Sequence, residues 1–218
     1  TTNGIYTDTS DSPFKIIPNS SSSIRVVSPN GGENYVQGSN QILRWNYIGD
    51  PGPTVKIEAL RGETVLATIS SSTSIGSSGS GSFNLTFPYS TPPGSEYRIR
   101  ITSIKNPAWT DTSDDTFTVS PAIMVLSPNG GEEWQQGSMH PITWTYTGSP
   151  GAAVKIEALR GDAVLAVVTQ STPLGPGLFN LTFPANTPLG NNYRIRITST
   201  SYPACTDMSD GLFTISPI

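Results

Sequence analysis

Residues 26–67 read VVSPNGGENYVQGSNQILRWNYIGDPGPTVKIEALRGETVLA, and residues 125–166 read VLSPNGGEEWQQGSMHPITWTYTGSPGAAVKIEALRGDAVLA. The two stretches are one pattern written twice, with Trp45 answered by Trp144 and Lys56 by Lys155 at a spacing of 99 residues. Further on, FNLTFP at Phe83 recurs at Phe179 and YRIRITS at Tyr97 recurs at Tyr193, now at a spacing of 96. The shortfall falls in the Ser/Gly-rich stretch 70–82, SSSTSIGSSGSGS, which reads as a surface loop. A repeat of about a hundred residues is the size of one small domain. The chain therefore divides into a module at 24–121, a second at 122–218, and a leading segment at 1–23.

Inside each module the apolar residues alternate. Leu43, Trp45 and Tyr47 share one face of a strand, as do Val55, Ile57 and Ala59, and again Tyr97, Ile99 and Ile101. Period two marks strands with one face in a core and one in water. Adding IRVVSP, ETVLATI, SFNLTF and DTFTV gives about seven strands per module, the range of a fibronectin-III or immunoglobulin-like sandwich. The expectation is all-β: two tandem seven-stranded sandwiches. Lys56 and Glu58 on the outer face are expected to oppose Arg98 and Arg100, and Lys155 and Glu157 to oppose Arg194 and Arg196. As exposed cross-strand pairs these would contribute about 0.2–1 kcal/mol each.

Composition agrees. Charged residues are 13% of the 218, while Gly numbers 21 and Pro 19, a balance that suits short strands and turns better than helices. Net charge is −4 with no basic block, so nucleic acid is excluded as a natural partner. No apolar run reaches membrane-spanning length. The single Cys forbids an intrachain disulfide; Cys205 stands where the first module has Trp109, as a buried space-filler.

The segment YTDTSDSPFKII at 6–17 matches WTDTSDDTFTV and CTDMSDGLFTI, which close the two modules. It reads as the terminal strand of a preceding repeat, with Tyr6, Phe14 and Ile16 available for pairing between modules. Such an unpaired strand calls for a sheet outside its own polypeptide. On this reading 1–218 is cut from a longer tandem array, or is the repeating portion of a fibre. The Ser-rich linker PNSSSSI follows it, whereas the junction SPAIMV between the modules is short and Pro-containing, restricting how they bend and twist.

The run SPNGGExW, GS, ItWtYtG, VKIEaLrG, NLTfP, YRIRITS and DxSDxxFTI resembles the Ser-Thr-rich GPI-anchored-membrane-type domain, related to fungal KRE/KNH cell-wall-synthesis proteins and found in tandem in secreted prokaryotic and archaeal surface proteins. The resemblance spans both modules. It implies a sandwich fold and an extracellular or cell-surface setting, with no catalytic residues to carry over. The Ser/Thr-rich tail and anchor signal of the fungal relatives are absent from these residues.

Candidate chemistry is sparse. His140 is the single histidine, and no P-loop, zinc or dinucleotide pattern occurs, so no enzyme and no cofactor are expected. The TDxSD turns place Asp111 and Asp114 in one module and Asp207 and Asp210 in the other. Such oxygens could begin a calcium shell, and turn capping is the plain alternative. Glu33 and Glu132 in SPNGGE could bond back to the loop's amides or meet the neighbouring module. Sequons stand at Asn19, Asn84 and Asn180, with the latter two expected to point outward. These features point to a structural module of an extracellular fibre, stalk or surface layer, associating with itself or with neighbouring repeats. The alternative is an accessory module binding cell-wall polysaccharide through exposed aromatics drawn from Tyr35, Tyr89, Trp109 and Trp134.

Overall fold

The computed structural model describes residues 22–218, so the leading strand with Tyr6, Phe14 and Ile16, and the sequon at Asn19, lie outside the described residues. The first module runs β1 (Ser23–Ser28), β2 (Asn34–Val36), β3 (Asn40–Ile48), β4 (Thr54–Arg61), β5 (Thr64–Ser74), β6 (Ser80–Thr86), β7 (Gly94–Ser103), β8 (Thr110–Thr112) and β9 (Phe117–Ser120). The second repeats this order as β10 (Ile123–Ser127), β11 (Glu133–Gln135), β12 (Met139–Tyr146), β13 (Ala153–Arg160), β14 (Ala163–Pro173), β15 (Leu178–Thr182), β16 (Gly190–Ser199), β17 (Thr206–Met208) and β18 (Phe213–Ser216). Each module packs a three-stranded sheet, β1-β3-β6 or β10-β12-β15, on a larger one, β2-β9-β7-β4-β5 or β11-β18-β16-β13-β14. This is an immunoglobulin/fibronectin-III-like sandwich, twice.

The seven expected strands are all present, and two three-residue strands join them in each module. One is β2, where the first strand leaves the small sheet and pairs in parallel with β9. The other is β8, which pairs with β7. Both are too short to carry a legible alternation. The stretch 70–82 departs further from its reading as a loop. Residues 70–74 complete β5 and 80–82 begin β6, leaving a short turn around the buried Ile75. Ser and Thr alternate well enough on a half-wet edge strand to extend it.

Alternation places the core. Trp45, Tyr97, Ile57, Ile99 and Ile101 are fully buried in one cluster, and Tyr193, Ile156, Ile195 and Ile197 in the other, joined there by the nearly buried Trp144. The Trp45 indole N–H donates to the Ile75 carbonyl at 3.0 Å, as Trp144 does to Leu174 at 3.1 Å. Gly81 lets that indole lie flat, because a Cβ there would come 2.3 Å from Trp45. The Tyr97 hydroxyl donates to the Pro92 carbonyl, and Tyr193 does the same to Pro188, pinning the loop before β7 and β16.

Half of the expected register forms: Glu58 lies opposite Arg100 and Glu157 opposite Arg196, whereas Lys56 and Lys155 face Thr102 and Thr198, and Arg98 and Arg194 face Leu60 and Leu159. The pairs that form are not the exposed ones expected, however. Glu58 and Glu157 are each 5% exposed, under the stems of Lys56 and Arg100 or Lys155 and Arg196, which contact them at 2.8–2.9 Å. Burial acts to raise both carboxyls, but hydrogen bonds and charge from the Lys and Arg outweigh it and hold them below the ordinary value.

Candidate functional site

Among the described residues two arrangements stand out: a clasp repeated in each module and a junction found once. The clasp unites SPNGGE with TDxSD, which lie more than eighty residues apart. Asp111 accepts the Val26 N–H at 2.7 Å and Asp207 the Val125 N–H at 2.8 Å, where the register of β1 and β10 shifts. Buried Ser113 accepts from the Ile99 N–H at 3.0 Å and donates to the Pro29 carbonyl at 2.8 Å; Ser209 does likewise with Ile195 and Pro128. Asn30 and Asp114 exchange two bonds, side-chain N–H to carboxylate at 2.7 Å and Asp114 N–H to amide oxygen at 2.8 Å. Asn129 and Asp210 repeat the exchange. Glu33 accepts the N–H groups of Asn30 and Gly31 at 2.7 and 2.8 Å, and Glu132 those of Asn129 and Gly130. Burial acts to raise the Glu132 carboxyl, yet those amide bonds bring it below its ordinary value. Gly31 is required because a Cβ there would approach that of Asp115 to 2.7 Å, at φ +140.

The cation candidates are thus engaged in tying the first strand of each module, and the loop after it, to β8 or β17 and the turn that follows. Asp111 and Asp207 bind backbone in the facing sheet, and Asp114 and Asp210 bind an asparagine, not the local turn. Among the described residues, no three His, Cys, Asp or Glu side chains gather as metal ligands would. Burial pushes the Asp207 carboxyl up, against the N–H bonds of Val125 and Met208. Cys205 is fully buried in the second core, and burial pushes its thiol up, the opposite of an activated nucleophile. Asn84 and Asn180 are exposed on the outer face of the small sheets.

The junction is the sharper feature. Only Pro121 and Ala122 separate β9 from β10. Gln37, fully buried, donates to the carbonyls of Thr91 in its own module and of Ala204 in the next (3.3 Å), and its side-chain oxygen accepts the Ala122 N–H at 3.1 Å. Tyr89 crosses between the modules: its hydroxyl accepts the Ser149 N–H at 2.7 Å and its ring lies 5.1 Å from that of Tyr202. Gly38 on one side and Gly148 on the other make room for it, since a Cβ at either would come within 2.4 Å. Val36 and Tyr89 of the first module pack against the core of the second.

This placement corrects the expectation of an exposed aromatic row. Trp134 is 5% exposed and stacks on His140 at 4.7 Å, Tyr35 and Trp109 pack against the first core, and Tyr89 fills the junction.

The site and fold together define a tandem β-sandwich with a sealed junction. No protein-family model and no curated protein matches the chain. Among solved structures, it is similar to a chimeric titin Z1Z2-Z1Z2 tandem (21% identity, 88% of this chain and 98% of that one, TM-score 0.38). It is also similar to the fibronectin(III)-like modules of Clostridium thermocellum CbhA (15%, 89% and 94%, TM-score 0.31) and to tandem Ig repeats of Dlar (12%, 91% and 100%, TM-score 0.30). At superposition scores this low, the sandwich assignment rests on this chain's own strand order.

Proposed function

We propose that this chain is a non-enzymatic structural module of an extracellular fibre, stalk or surface layer, of the Ser-Thr-rich GPI-anchored-membrane-type family that its motifs resemble. The observation that supports it most is the junction. A spacer must transmit orientation from one module to the next, and burying Gln37 and Tyr89 between the sandwiches restricts their relative bend and twist. In the array the 6–17 segment, with Tyr6, Phe14 and Ile16, pairs with a sheet of a neighbouring repeat or copy. The exposed sequons at Asn84 and Asn180, with Asn19, are glycan sites in that setting. Electron microscopy of the full chain tests the reading. Rods or filaments with an axial repeat of one or two modules are expected, and solitary particles at every concentration would overturn it.

A further inference from the structure

In the first sandwich the sheets close on one side, where the chain crosses from β1 to β2, and stay open on the other. β6 pairs with β3 along one edge only, and among the described residues no strand lies against its other edge. The gap between β6 and β5 is an apolar cleft of about 240 Å³ lined by Leu66, Ile69, Leu85, Phe87, Tyr97 and the loop Pro88–Pro92. That loop forms one wall of the cleft and also carries Tyr89 into the junction. An unpaired edge above an apolar cleft has the form of a strand-receiving slot, where backbone bonds to the edge give affinity and alternate side chains enter the gap.

We infer that this slot receives residues Pro13–Ile17 of a second copy of the chain. The proposal rests on the fibre reading above and names its contact. The segment PFKII supplies two apolar residues at period two, Phe14 and Ile16, with Lys15 directed away from the cleft. Reach argues for a second copy. Ser23 is level with Ile48, while Leu85 is level with Gln41, seven residues along β3 and one strand beyond it. That separation is about 26 Å, from about 3.4 Å per residue and about 4.8 Å per strand. Ile16 to Ser23 spans about 24 Å at full stretch. Seating both side chains in the chain's own slot would draw the PNSSSS linker taut, whereas a neighbour's slot leaves it slack.

Sedimentation velocity on the full chain at rising concentration tests this. Self-association is expected, weakened about tenfold or more by Phe14→Asp with Ile16→Asp, and equally by Leu66→Asp. Leu66 is 46% exposed at the rim, and an unchanged thermal transition certifies that variant's fold. Mixing the two variants should restore pairing but stop at dimers, one chain giving the segment and the other the slot. Association or filaments that persist in both variants would overturn the slot and leave the fibre reading standing. A chain monomeric at every concentration would overturn the slot, and absence of filaments by microscopy would take the fibre reading with it. A monomer in which Phe14→Asp shifts the nuclear resonances of Leu85 and Phe87 docks within itself, which also overturns the second-copy assignment.

Discussion

Gln37 and Gln136 occupy the same position in the two sandwiches and begin with the same bond, side-chain N–H to the carbonyl of Thr91 or Thr187. Their surroundings then diverge. Gln37 is sealed beneath the second module, with Tyr89 beside it as a peg. Gln136 is half-exposed, Ala185 replaces the tyrosine, and Ile218 stands 84% exposed nearby. The hydrogen bonds of the clasp between SPNGGE and TDxSD, by contrast, recur in both modules. What holds a single module together is thus duplicated, and what holds two modules together is specialised by a few side chains.

The largest losses belong to the core that both modules share. Trp45→Ala and Trp144→Ala should each cost about 3–5 kcal/mol in chemical denaturation, with like losses in the two modules because the indoles have like environments. Next come Ser113→Ala and Ser209→Ala. Each strands a buried N–H and a buried carbonyl, and each should cost about 1–3 kcal/mol; unequal losses would refute the equivalence of the clasps. Tyr89→Ala gives the junction the side chain of the far pole. It should weaken coupling by about 1–2 kcal/mol, seen as two calorimetric transitions drawing apart and as broader interdomain distances in small-angle scattering.

Acid should act alike on the two modules. The Glu58 and Glu157 carboxyls titrate below their ordinary value of 4.5 when folded, so their contribution is complete above that value. It is lost as pH falls through the lowered folded range. Glu58→Gln should flatten that part of the stability profile, and Glu157→Gln should flatten it equally. The smallest effect belongs to Arg25, whose 3.7 Å contact with Asp114 is exposed and whose counterpart is Met124. Arg25→Ala should change stability by less than about 0.5 kcal/mol.

Much of the fold was legible because alternation and the internal repeat act over many residues. Trp45, Tyr97 and the Ile pairs declare a buried face without any knowledge of the partner sheet. The short strands β2 and β8 were not legible, since three residues hold no period. The clasp was half-read: SPNGGE and TDxSD each stood out, but their union depends on sheet packing that brings Asn30 beside Asp114. The junction escaped for a related reason. Gln37 looks like any polar turn residue before Gly-Ser, and Tyr89 stood only among the candidate exposed aromatics, because its partners Gly148 and Ser149 lie in the next module.

The parallel pairing of β2 with β9, and of β11 with β18, has a mechanical consequence. Tension applied along the polypeptide from outside a module drags these paired strands past one another lengthwise. Their cross-links are then strained together and must give way in one event. An antiparallel pair pulled from adjacent ends instead peels open bond by bond at low force. A tandem of such units would hold its length under steady load and yield one module at a time.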